Sequence, residues 1–170
     1  MKRVLVFFFT ALLLSSISHA QNLGDRKGYQ GNVELELGYV TGTNAFDAAV
    51  LTTHGYNTGS CWFFGAGTGL RVAPNHYALF SVPVFADVRY SFCNNQVRPF
   101  VDMKVGTEIN LEELTAGLYI SPSVGIMINR YAISIKYGFN SGATDLVQGP
   151  LYQRYDYNAH TISVGLAVAF

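Results

Sequence analysis

Ten charged side chains recur at alternating positions in strand-like segments: Glu34, Glu36, Arg71, Asp87, Arg89, Arg98, Asp102, Lys104, Glu108 and Lys136. Carboxylates gathered in this way are the raw material of general acid–base chemistry. Here five bases meet five acids, and an equal count describes a neutralised structural network better than a reactive site. His54, His76 and His160 show no ligand spacing with one another, so neither a metal nor a cofactor is expected. His160 and Ser163 stand three residues apart, on opposite faces of a strand, which does not suit a base and its nucleophile. GAGTG (65–69) imitates a nucleotide-binding turn but sits inside a strand, without the strand–turn–helix context. Its alternate glycines are expected to make room in a packed interior. Cys61 and Cys93 have no CxxC spacing. A hairpin centred on Tyr77 would set them opposite each other, which predicts a structural disulfide in an oxidising compartment.

The elements that must position these residues begin after a leader. Lys2 and Arg3 precede an apolar run, VLVFFFTALLL (4–14), and Ser18-His19-Ala20 supplies small residues at a cleavage site. This pattern predicts a secretory signal peptide over 1–20. A short periplasmic segment over 21–28 and one domain over 29–170 then follow. Charged residues make up 13% of the chain and aromatics 14%, and the formal net charge is zero, so nucleic-acid binding has no footing. No later stretch is long and apolar enough for a membrane helix.

Period-two alternation predicts eight strands near 29–41, 45–57, 61–72, 77–93, 97–110, 114–129, 131–141 and 156–170. The second alternates least clearly. One face carries large apolar residues, such as Leu35, Leu37, Val82, Val84, Val101, Met103, Ile133 and Ile135. The other carries Gly, Ser, Ala, Asn and the ten charges. A soluble barrel would need far more Lys and Glu on its outer surface than this chain owns. The reverse assignment fits, with the apolar face in lipid and the charged face filling a narrow lumen. A Lys or Arg on the lipid face at midplane would cost roughly 2–4 kcal/mol.

Aromatic residues gather at both strand ends. Tyr29, Tyr56, Trp62, Tyr90, Phe92, Tyr131 and Phe170 form one girdle, and Tyr39, Phe46, Phe80, Tyr137 and Phe139 the other. Their separation of about ten residues on tilted strands matches the roughly 25 Å apolar band of a membrane barrel. The fold class predicted is therefore all-β, an eight-stranded antiparallel up-and-down transmembrane β-barrel. Short turns near 57–60, 94–96 and 129–130 would face the periplasm. The connections near 41–45, 73–77, 110–114 and 141–156 would face outward. Tyr152, Arg154, Tyr155, Asp156 and Tyr157 in the last and longest of these are candidate contact residues.

The signal, eight strands and final Phe170 resemble the small outer-membrane barrels of the OmpX and OmpA N-domain type. HGY (54–56), PVFADVRY (83–90) and RPFVDMKVG (98–106) are similar to outer-membrane β-barrel proteins common in Bacteroidetes. The resemblance implies that Val164, Leu166, Val168 and Phe170 form an assembly signal, read by the outer-membrane barrel assembly machinery. The expected role is structural or surface-interacting, an adhesin-like display of outer loops, with the cell outer membrane as location. Expected partners are outer-membrane lipid and lipopolysaccharide, with an extracellular ligand on the loops, and a monomeric state is expected. A narrow porin-like channel for small solutes is the alternative. A lipid-modifying enzyme comes third, and no enzymatic activity is expected.

Overall fold

The computed structural model describes residues 27–41, 45–73, 80–92, 97–112, 115–148 and 151–170, with backbone alone for 143–148 and 151–157. Among these, the strands are β1 (Gly28–Thr41), β2 (Ala45–Asn57), β3 (Trp62–Val72), β4 (Phe80–Ser91), β5 (Val97–Asn110), β6 (Ala116–Ile128), β7 (Tyr131–Gln148) and β8 (Leu151–Ala169). Each pairs antiparallel with the next, and β8 returns to β1, closing the eight-stranded up-and-down barrel that the alternation predicts. The closing seam matches Asn32–Thr41 with His160–Ala169.

Burial follows parity. On β1, Glu34, Glu36 and Val40 are buried while Leu35, Leu37 and Tyr39 are exposed. The convex wall exposes large apolar groups all round, including 60% of Leu37, 57% of Val124 and 62% of Ile135, a surface unsuited to water. Among residues with described side chains, every strand Asp, Glu, Lys and Arg points into the lumen.

The lumen is packed by more than charge. Leu51, Phe63, Phe85, Phe100, Tyr119 and Met127 also turn inward and are buried. GAGTG makes room for them as expected: a Cβ at Gly67 would come within 2.7 Å of the Phe85 ring, and one at Gly65 within 2.9 Å of the Phe63 ring.

At the end that carries residues 28 and 170, here the terminal end, the two described connections are tight. Asn129 takes a left-handed φ of 54° in the two-residue turn to Tyr131, a conformation that asparagine tolerates better than most residues. Gly59 (φ 76°) and Cys61 (φ 71°) turn the chain between β2 and β3. Pro122 has no N–H to donate, and the β6–β7 ladder runs through Leu118–Ile120 and Ser123–Ile128 with a break between.

Two expectations are corrected, while the expected start of β4 at 77 lies outside the described residues. The β3–β4 register pairs Trp62 with Tyr90, so the hairpin is centred on residue 76 rather than Tyr77, and Ser91 N–H donates to Cys61 O at 2.8 Å. The segment 141–156, read as a loop, is mostly a hairpin. β7 continues to Gln148 and β8 begins at Leu151, with Gln148 opposite Leu151. Beyond the barrel wall both faces of such a hairpin meet water, so the alternation that betrays a membrane strand is missing there.

Candidate functional site

The lumen brings charges from six strands into one connected chain. Glu34 and Glu36 come from β1, Asp47 from β2 and Arg71 from β3; Asp87 and Arg89 come from β4. Asp102, Lys104 and Glu108 come from β5 and Lys136 from β7. Two-residue spacing keeps partners on the inward face, and register sets Asp87 opposite Lys104 and Arg89 opposite Asp102.

Acid and base alternate along the chain. Asp87 lies 3.6 Å from Arg89, and Arg89 3.7 Å from Asp102. Lys104 Nζ donates to Asp102 at 2.6 Å and lies 3.4 Å from Glu34. Lys136 joins Glu34, at 2.7 Å, to Glu36. Glu36 reaches Arg71 at 3.5 Å. The chain then forks: Arg71 Nη1 donates to Asp47 at 2.9 Å, and its Nε lies 3.4 Å from Glu108. Aromatic faces hold the cations from the side. Arg89 lies between the rings of Phe63 and Phe100, 5.3 and 5.2 Å from their centroids, Arg71 lies 5.6 Å from Tyr119, and Lys104 lies 5.9 Å from Phe85.

All ten of the charges picked out by alternation point into the lumen. Arg98 lies at the terminal end, beside Gln30, Asn57, Cys61, Arg89 and Met127. Asp47 was missed, because β2 alternates poorly in sequence, and it changes the balance to six acids against five bases. The signal that could have found it is its direct register with Gly38, which leaves space for a carboxylate.

Two small cavities lie among the described inward side chains. A cavity of about 40 Å³ lies at the loop end, lined by Val40, Asp47, Arg71, Glu108, Asn110 and Asn140 among others, and one of about 20 Å³ lies at the terminal end. An eight-stranded barrel has an interior that side chains just fill.

Comparison with known proteins bears on the fold alone. No family model matches the sequence, and neither does any curated protein. Solved structures do match. The outer membrane enzyme PagL is similar at a TM-score of 0.56 and 10% identity, over 81% of this chain and 98% of that one. De novo designed transmembrane β-barrels are similar at 0.50 and 16%, over 86% and 99%. The N-terminal β-barrel domain of Pseudomonas aeruginosa OprF is similar at 0.51 and 11%, over 85% and 100%. The fold is that of a transmembrane β-barrel.

The other candidate residues fall in separate places. Val164, Leu166 and Val168 are exposed on the convex wall of β8, and Phe170 pairs with Gly31 through two backbone hydrogen bonds of 2.8 Å. Tyr152, Arg154, Tyr155, Asp156 and Tyr157 lie on the projecting part of β8, with backbones opposite Val147, Asp145, Thr144, Ala143 and Gly142. Cys61 carries a free thiol, so the expected bridge to Cys93 is not made; its strand neighbour is Ser91, and Cys93 lies outside the described residues. His76 also lies outside them.

His160 and Ser163 do point to opposite faces. Ser163 is buried in the lumen, and the ring of His160 meets Tyr137 Oη at 2.6 Å. His54 shows a contact that sequence reasoning did not single out. Its Nδ1 lies 2.5 Å from Tyr29 Oη and its Nε2 3.1 Å from Thr52 Oγ1. Both ring nitrogens are thereby satisfied on an apolar wall, which lowers the cost of an imidazole there.

Proposed function

We propose that this chain is an integral outer-membrane barrel whose work is done by its surfaces, with an adhesin-like display role, and not by passage through its lumen. The observation that carries this reading is the salt-bridge chain. It crosses the lumen from β5 to β1 through Lys104 and Glu34 and from β1 to β3 through Glu36 and Arg71, and the inward rings of Phe63, Phe85, Phe100 and Tyr119 fill the space beside it. Opening a path for solutes would mean breaking buried ion pairs, at roughly 3–5 kcal/mol for each charge left without its partner.

With the interior filled, the β7–β8 hairpin is the natural contact element. β7 leaves its β6 partner after Ser141, and β8 meets β1 only from His160. Between these points the two strands pair with each other, projecting about 20 Å at roughly 3.3 Å per residue. On this reading the monomer meets lipid and lipopolysaccharide along its wall, and the barrel assembly machinery at its Phe170 strand. Its extracellular ligand meets the hairpin.

Purified protein in a planar bilayer tests the closed lumen, and steady, reproducible open channels would overturn it. Cells displaying the full chain, or a chain with 143–157 replaced by a tight turn, test the display role on panels of matrix proteins and glycans. Binding by the full chain and its loss in the shortened one is expected; equal binding by both would sink the role.

A further inference from the structure

At the loop end of the lumen the described side chains set one cation, Arg71, against both Asp47 and Glu108. Six buried or half-buried carboxylates share the lumen with five cations. The fifth cation, Arg98, is ten residues from Glu108 along β5, roughly 33 Å of extended strand, and lies at the other end. At the fork, Arg71 serves Glu36, Asp47 and Glu108 together.

Buried carboxylate oxygens without a donor stand on Asp87 and Asp102 as well as at the fork, and those at the fork border a cavity. Asp47 Oδ2 accepts from Arg71 Nη1. Glu108 Oε1 accepts from Ser81 Oγ and pairs with Arg71 Nε. The second oxygen of each, Asp47 Oδ1 and Glu108 Oε2, is buried without a donor, and so is Asn140 Oδ1. The Asp47 side chain is only 6% exposed. All three residues line the same cavity of about 40 Å³, which has room for an ion with one or two waters. Ser81, Thr161 and Asn110 complete its polar wall. A water would give hydrogens to these oxygens but would leave the charge uncompensated.

We propose that this cavity binds a small hard cation of the calcium class, held by Asp47 Oδ1 and Glu108 Oε2 with Asn140 Oδ1 as a neutral third oxygen. Among the described residues no three His, Cys, Asp or Glu side chains form a metal cage, so the side-chain oxygens of Thr161 and Asn110 and the one or two waters supply the remaining positions. Calcium tolerates such an irregular, partly hydrated oxygen set better than magnesium, which demands a near-ideal octahedron. Gly38 is part of the design: a side chain there would overlap the Asp47 carboxylate.

The test uses full-length barrel refolded in detergent free of lipopolysaccharide, stripped with chelator and titrated with CaCl2 at neutral pH by calorimetry. One saturable calcium per folded barrel is expected, weakened at least tenfold in Asp47→Asn and in Glu108→Gln. Heat-modifiable gel mobility verifies that each variant is folded, and either variant alone suffices. A calcium-dependent slowing of thermal unfolding should vanish with the binding. No saturable binding to the wild-type barrel, or binding unchanged in the folded variants, would overturn the proposal.

Discussion

The ring of Phe170 lies across Gly31, so that a Cβ built on Gly31 would come within 2.5 Å of it. Backbone hydrogen bonds lock the two residues together at the β1–β8 seam, and His54, opposite Gly31 on β2, meets the ring edge-on at 6.1 Å. The aromatic ring thus takes the place of the side chain that Gly31 lacks. Gly31→Val should push the ring off the seam, and Phe170→Ala should leave a bare backbone patch; each should destabilise the barrel by about 1–2 kcal/mol. The folded fraction on unboiled gels across a urea series reads this. A Gly31→Val barrel as resistant as wild type would show that the contact contributes nothing.

The Asp102–Lys104 pair sits at the middle of the lumen chain, with both side chains almost wholly buried. Lys104→Met leaves Asp102 and Glu34 short of a cation, and Asp102→Leu leaves Lys104 short of an acid. Each single change should cost about 3–5 kcal/mol, while the double replacement should recover much of that loss because it removes both desolvation penalties. Urea unfolding of the four proteins in the cycle checks the non-additivity. Simple addition of the two losses would mean that the residues act independently.

Alternation alone made the barrel legible, because a wall with lipid outside and a filled lumen inside forces period two on almost every residue. Glu34, Glu36, Asp87, Arg89, Asp102 and Lys104 could be assigned inward from parity, and that is where they lie. Which acid meets which base was not legible. Those contacts depend on inter-strand register, and the β3–β4 hairpin shows how a one-residue shift of its centre moves the partner of position 61 from 93 to 91. Asp47 escaped for a related reason. AFDAAVLTT places small residues on both faces, so parity had little contrast to work with there. The outer hairpin escaped because its strands have no lipid to pattern against.

Glycines in GAGTG are spacers for rings that belong to the lumen. Gly67 fits against Phe85, which in turn tilts against Tyr119 at 5.8 Å. Gly67→Val should overpack this site and cost about 1–3 kcal/mol. Phe85→Leu in the same chain should restore part of the loss by shortening the group that collides. Thermal unfolding of the single and double variants decides the matter: a double variant no more stable than the two losses added together would place the collision elsewhere, on the Thr52 carbonyl that also approaches Gly67.

Trp62 is the single tryptophan of the chain and reports which medium the convex wall meets. It stands at the terminal end of β3, 43% exposed, stacked on Phe64 at 5.9 Å and against Tyr90 at 4.8 Å. A tryptophan in such a girdle belongs at the boundary between headgroups and acyl chains. In vesicles, its emission should be quenched most by lipids brominated near the glycerol backbone, less by those brominated near the chain end, and weakly by aqueous iodide. Trp62→Phe should remove the signal without loss of the heat-modifiable band. Strong iodide quenching with no effect of brominated lipid would put the apolar face of β3 and β4 in water, and would remove the lipid placement of the wall on which the display reading stands.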